Sequence, residues 1–265
     1  MTLIITAATK RYVFQVADTR LTYPDGQLYD DQSVKTTLAT CYDAKLAISY
    51  TGLAVIGGQS TDLWLCRELT GAKVWERSFP DVVQFLKDRL TGASSHDYNL
   101  RKIGLTFVIA GLGINKGARD VALALVTNCR RPIPRRSLLE WVQPKEEFNR
   151  YFFDPGDNFT WYLSVHGAVD MNAEISALRR KIGNKLLEAR APEQLTELMN
   201  YLVSWIRFQR RSKRVGHLIS DDCTVVHIGS DFKGSLFLYS KDKRLERYPH
   251  IVSKPIPPDT VSGPA

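Results

Sequence analysis

A threonine stands directly behind the first methionine, and removal of that methionine leaves a hydroxyl and a free α-amine on one residue, Thr2. Such an amine has an ordinary pKa near ~7.7 to 8, so part of it is neutral at physiological pH and takes up the hydroxyl proton. Nucleophile and base then come in one residue, suited to attack on a carbonyl. A nearby ammonium lowers the amine pKa further. Lys35, in SVKTTLAT, is the candidate, and Asp18, sixteen residues after Thr2, would hold and orient it. The same two residues also fit a structural ion pair that only fixes register.

These residues need strands to position them. Residues 2 to 9, 12 to 20, 33 to 40 and 45 to 51 are rich in Ile, Val, Thr, Tyr and Phe and are parted by turn-like KR, YPDG and YDA, which predicts antiparallel strands. A three-residue turn centred on Lys10 pairs Thr2 with Asp18, whereas a two-residue turn at Lys10 and Arg11 presents Thr19 instead. No Asn-Gly marks the turn. The expectation is the first register, because it sets a carboxylate beside Thr2.

The period then changes. Apolar residues at helical spacing predict helices over 58 to 71 and 79 to 91, the second opened by Ser78, Pro80 and Asp81. IGLTFVIAGLG and DVALALVTN return to strand around INKGAR, and a strand near FTWYLSV precedes helices at about 171 to 190 and 192 to 212. CTVVHIG and SLFLYS form a last pair. Strands in blocks alternating with helix pairs predict an α+β fold, a four-layer αββα sandwich of two antiparallel sheets. Met171 and Met199 are expected in the core. Residues 1–252 form the expected single domain, and the Pro-rich stretch 253–265 is expected to be a disordered tail.

The chain has 265 residues, 44% of them hydrophobic, enough for one sizeable core. No secretory leader or membrane-spanning run is visible, which predicts a cytoplasmic protein without membrane partners. Cys41, Cys66, Cys129 and Cys223 lie far apart without metal-ligand spacing, as expected of reduced thiols. The net charge of +8 is concentrated in Arg130, Arg131, Arg135, Arg136 and in Arg207 to Arg214. The second cluster fits a helix end whose cations suit the negative pole of the helix dipole, and nucleic acid is not the expected partner.

Thr2, ADTR at 17 to 20, SVKTT around Lys35, and Gly52 in ISYTGLA resemble the proteasome β subunits and their bacterial relatives, the N-terminal nucleophile hydrolases. The resemblance covers most of residues 2 to 240, since GLTFVIAG with VALALVTN looks like the family's central sheet and ISDDCTVVHI like its approach to a late strand. It implies the proteasome-subunit-like sandwich and a threonine-type amide hydrolase, with Thr2 as nucleophile, Asp18 and Lys35 assisting, and the Gly52 N–H as oxyanion hole. Arg20, His166 and Ser220 are the implied supporting residues. No cofactor or metal is called for. A peptide or unfolded-protein substrate and a ring of identical subunits are implied, and a start needing only methionine removal looks closest to the simple bacterial proteasome homologues.

Three positions depart from the family. Asp18 to Lys35 is seventeen residues, one more than usual; His166 stands where the family has a serine; and His217 stands three before Ser220, where it has an aspartate. The alternative is a catalytically silent scaffold on the same fold, which keeps the sheets and loses the proton relay.

Overall fold

The computed structural model describes residues 2–23, 27–115, 118–132, 139–153, 159–167, 172–213, 215–231, 233–239 and 250–254. Met171, Arg135, Arg136, Arg214 and the tail from residue 255 lie outside the described residues.

The chain opens with strands β1 (Leu3–Thr9) and β2 (Tyr12–Asp18), every residue of which is buried. That is possible only where both faces of a sheet are covered. Next come β3 (Thr36–Thr40) and β4 (Ala44–Gly52), then α1 (Thr61–Gly71), α2 (Phe79–Ser94) and the short α3 (Tyr98–Ile103). A hairpin of β5 (Leu105–Asn115) and β6 (Ala118–Thr127) follows, then β7 (Asn149–Phe152) and β8 (Tyr162–Gly167). Helices α4 (Asn172–Glu188) and α5 (Pro192–Gln209) precede β9 (Cys223–Gly229), β10 (Gly234–Tyr239) and β11 (His250–Val252).

Five strands form one sheet in the order β8-β1-β2-β9-β10, and six form the other in the order β7-β6-β5-β4-β3-β11. Their facing sides meet through Ile4, Ala17, Val108 and Leu125 and, further along, Ala8, Val13, Ala47 and Val226. Helices α4 and α5 cover the outer side of the first sheet with Leu178, Ile182, Leu198, Leu202 and Ile206. Helices α1 to α3 cover the second with Leu65, Leu69, Val82, Leu86, Leu90 and Leu100. The fold is the α+β, four-layer αββα sandwich.

Helix α2 starts as its sequence dictates: the Ser78 hydroxyl accepts the Asp81 N–H at 3.4 Å, with Pro80 in the first turn where its missing N–H is harmless. Cys41, Cys66, Cys129 and Cys223 are free thiols and Met199 is buried. Part of the Arg207–Arg214 cluster turns inward, with Arg207 Nε on the Asp221 carbonyl at 2.8 Å and Arg210 Nη1 on that of Ile219 at 2.7 Å. These cations close the connection after α5.

Two details differ from the sequence expectation. The first hairpin pairs Ile4 with Ala17 and Thr9 with Tyr12, so the turn is the two-residue Lys10–Arg11 one. Continuing that ladder sets Leu3, not Thr2, opposite Asp18. Neighbouring β9 shares this alignment, with Cys223 opposite Asp18 and Val225 opposite Val16, and a slip by one residue would turn each strand's core side chains to the other face. The second difference is β11, an edge strand beside β3 and parallel to it, in sheets otherwise antiparallel.

A polar seam pins the sheets together. Gln15 donates to the Val108 carbonyl at 3.1 Å and accepts from Ser49 Oγ at 2.8 Å; Ser49 Oγ lies 2.7 Å from Thr36 Oγ1, which lies 3.3 Å from Thr224 Oγ1. Buried hydroxyls and amides are costly unless paired, so this chain fixes where β3, and Lys35 just before it, sits against the first sheet.

Candidate active site

The end of β2 brings Asp18 to the chain start. Its Oδ1 accepts the Leu3 N–H at 2.7 Å and a Lys35 Nζ hydrogen at 3.3 Å; its Oδ2 accepts the N–H groups of Arg20 at 3.0 Å and Ser220 at 3.2 Å. Both side chains of the Lys35–Asp18 pair are completely buried. A carboxylate with three backbone N–H groups and an ammonium around it is held in a fixed orientation.

Lys35 also donates to the Arg20 carbonyl. Burial pushes its pKa down, opposed by Asp18 through charge and hydrogen bond and by the more distant Cys223 and Asp31. An ammonium has three hydrogens, and these two acceptors leave one without a partner among the described residues. Thr2 is fully buried, and its Oγ1 makes no hydrogen bond among the described residues. The expected hydrogen-bonded cluster of three is therefore a bonded pair, Asp18 and Lys35, joined to Thr2 through the Leu3 peptide. The register explains this, because Asp18 meets the residue after Thr2.

The other sequence-predicted residues divide. Arg20 and Ser220 bond Asp18 directly through their backbones, and Ser220 Oγ accepts the Asp222 N–H at 3.1 Å. His166 is half-buried on β8, opposite Ile4 of β1, with Nε2 3.1 Å from Ser164 Oγ. Burial, with a smaller contribution from the Arg130 charge, lowers its pKa to about 4, so the imidazole is neutral near pH 7. The His217 ring is exposed, and only its carbonyl reaches inward, accepting Arg20 Nη1 at 3.1 Å.

Gly52 closes β4, two residues beyond Tyr50, whose N–H bonds the Lys35 carbonyl at 3.1 Å. Its φ of 114° lies in the left-handed region, and a Cβ there would come within 2.3 Å of the Gly104 carbonyl oxygen. Only glycine fits. No hydrogen bond among the described residues joins Gly52 to Thr2.

Two contributors escape sequence reasoning. Gly167 has φ 103° and lies so close to the chain start that a Cβ would sit 1.5 Å from the Thr2 carbonyl oxygen. Asp31 grips Arg20 with both oxygens, at 2.8 Å to Nε and 2.9 Å to Nη2. The glycine after His166 was a weak signal for the first; an eleven-residue separation from Arg20 is none for the second. Among the described residues no three His, Cys, Asp or Glu side chains converge as a metal site requires, and no helix is long and apolar enough to cross a membrane.

No protein-family profile matches the sequence, and no curated protein matches it. Solved structures do. The Anbu (Gly-1) mutant from Hyphomicrobium sp. strain MC1 superposes with a TM-score of 0.52 at 12% identity, covering 91% of this chain and 88% of that one. Anbu (ancestral beta-subunit) from Yersinia bercovieri gives a TM-score of 0.54 at 12% identity, with the same coverage of 91% and 88%. At this identity the likeness is one of fold, and the fold is proteasome-related. It corrects the placement next to the simple bacterial proteasome homologues: the similar structures are ancestral β-subunits.

Proposed function

We propose that the protein is an amide hydrolase of the N-terminal nucleophile type, acting through Thr2 once methionine is removed. The observation that supports this best is the buried Lys35–Asp18 pair, 3.3 Å apart, whose carboxylate also holds the first strand through the Leu3 N–H at 2.7 Å. A desolvated ion pair bonded to the backbone beside a buried hydroxyl is costly as mere scaffolding.

In this reading the spare Lys35 hydrogen meets Thr2 Oγ1 and the free amine takes the hydroxyl proton. Oγ1 forms a bond to the substrate carbonyl carbon, and the Gly52 N–H stabilises the oxyanion. Collapse breaks the C–N bond, the amine proton passes to the leaving nitrogen, and an ester on Thr2 remains. Water attacks that ester with the amine as base, releasing the acid and restoring Thr2. His166, neutral at pH 7, is a supporting donor or acceptor on the strand beside β1. Peptides or unfolded chains are the proposed substrates and an assembly of identical chains the working form. Residues 1–252 are the proposed functional domain, and truncation after Val252 is expected to preserve it.

Complete burial of Thr2 favours a second reading, a silent scaffold. Turnover of fluorogenic peptide amides and esters separates the two. The enzyme reading expects turnover by the parent and none by Thr2→Ala at unchanged stability; a parent inactive on every peptide, with methionine retained, selects the scaffold.

A further inference from the structure

The segment that carries Arg20 has little ladder to hold it. Strand β2 ends at Asp18, and beyond Arg20 the described residues pair in a short ladder, Leu21–Thr22 with Leu28–Asp30. Yet both peptide groups of Arg20 face the buried pair: its N–H donates to Asp18 Oδ2 and its carbonyl accepts from Lys35. Whatever fixes Arg20 therefore fixes the Lys35 amine.

Asp31 and nearby Ser33 do so from three directions. Its two carboxylate oxygens take Arg20 Nε and Nη2 at 2.8 and 2.9 Å, the fork-to-fork geometry that restricts rotation as a single ion contact does not. Its own carbonyl accepts Thr19 Oγ1 at 2.7 Å. Two residues on, the Ser33 N–H donates to the Thr19 carbonyl at 3.0 Å. The free guanidinium nitrogen, Nη1, reaches the His217 carbonyl at 3.1 Å, which ties the same segment to the approach to Ser220.

We propose that Asp31 is a positioning residue for the Lys35 amine: by clamping the Arg20 side chain it holds the Arg20 peptide groups that orient both Asp18 and Lys35. Its relevance to catalysis rests on the reading of Thr2 as the nucleophile; its effect on Lys35 does not. The Asp31 side chain is 42% exposed, so its replacement leaves the core intact. The groups that act on Lys35 are Asp18, Cys223 and Asp31, and the charge of Asp31 raises the Lys35 pKa. Loss of Asp31 thus removes a charge and a clamp that act in the same direction.

The test titrates Lys35 by carbon-13 NMR of lysine-labelled full-length protein, alongside the pH profile of Thr2 acylation by a β-lactone. Asp31→Asn is expected to lower the Lys35 midpoint by about half a pH unit or more and to move the acylation profile with it. Asp31→Glu, which keeps the charge and a carboxylate fork, should recover most of both. Arg20→Lys, which keeps the charge and loses the fork, should lower the midpoint as Asp31→Asn does. An unchanged Lys35 midpoint in both Asp31→Asn and Arg20→Lys would overturn the proposal, as would a shift that Asp31→Glu leaves uncorrected. Absence of acylation in the parent would count against the nucleophile reading alone, with the Lys35 midpoint still deciding the role of Asp31.

Discussion

The two sides of the chain start are built differently. On one side Asp18 accepts four hydrogen bonds and Lys35 donates two, around two fully buried side chains, so that each group fixes the next. On the other, Thr2 Oγ1 is buried with no partner among the described residues, and His166 on the neighbouring strand bonds Ser164. A network of charge-assisted hydrogen bonds is rigid, whereas an unpartnered buried hydroxyl is a cost of ~1–3 kcal/mol waiting for a partner. In the proposed hydrolase reading, the Asp18 side is the preformed part of the site and the Thr2 side is the part that changes when the amine is freed or a carbonyl arrives.

Breaking the rigid side should have the largest effect. Lys35→Ala leaves the buried Asp18 without its counter-ion and is expected to destabilise by ~3–5 kcal/mol, read from urea or thermal unfolding, with turnover abolished. Destabilisation under ~1 kcal/mol would mean that the three backbone N–H groups satisfy Asp18 by themselves. Next is the close approach behind the threonine. Gly167→Ala forces a side chain into the Thr2 carbonyl and a left-handed φ on alanine, and should cost ~1–3 kcal/mol from backbone strain alone.

His166 sharpens the comparison through pH. Its pKa is lowered from 6.5 to about 4 in the folded protein, so between those values the unfolded chain binds more protons than the native one. Its contribution to stability is present above the unfolded pKa and is lost as pH falls through the window from 6.5 towards 4. His166→Gln, which can keep the bond to Ser164, should lose less stability than the parent between about pH 7 and about pH 5 in paired denaturant titrations. Equal losses would show that the ring is solvated.

The smallest stability effect is expected at Thr2 itself. Thr2→Ala removes a hydroxyl that makes no hydrogen bond among the described residues, along with one methyl group; the two effects oppose each other, and the net change should stay within ~1 kcal/mol. A larger loss would show that the hydroxyl is held on the Asp18 side already.

Much of this layout is legible in the sequence because it rests on repeating patterns. Continuous Ile, Val and Phe runs announce strands covered on both faces, the Leu198, Leu202 and Ile206 spacing announces α5, and Ser78 with Pro80 announces the start of α2. The residues around Asp18, Arg20, Lys35 and Ser220 were legible as a set, although Thr2 stands one step out of the expected register. That register depends on a Lys10–Arg11 turn without a marker residue and on neighbouring β9, which arrives some two hundred residues later. Helix α3 and strands β7 and β11 are too short to show a period. The Asp31 clamp and the Gly167 approach are contacts between distant segments, which no local pattern encodes.

The central claim is tested most directly by mass spectrometry of the purified protein after exposure to a β-lactone, with peptide mapping of the adduct. The account predicts a chain that begins at Thr2 and carries a single acyl group on that residue, with none on Thr2→Ala. A chain that retains methionine and takes up no label, or a label on Ser220 or a cysteine, would contradict it.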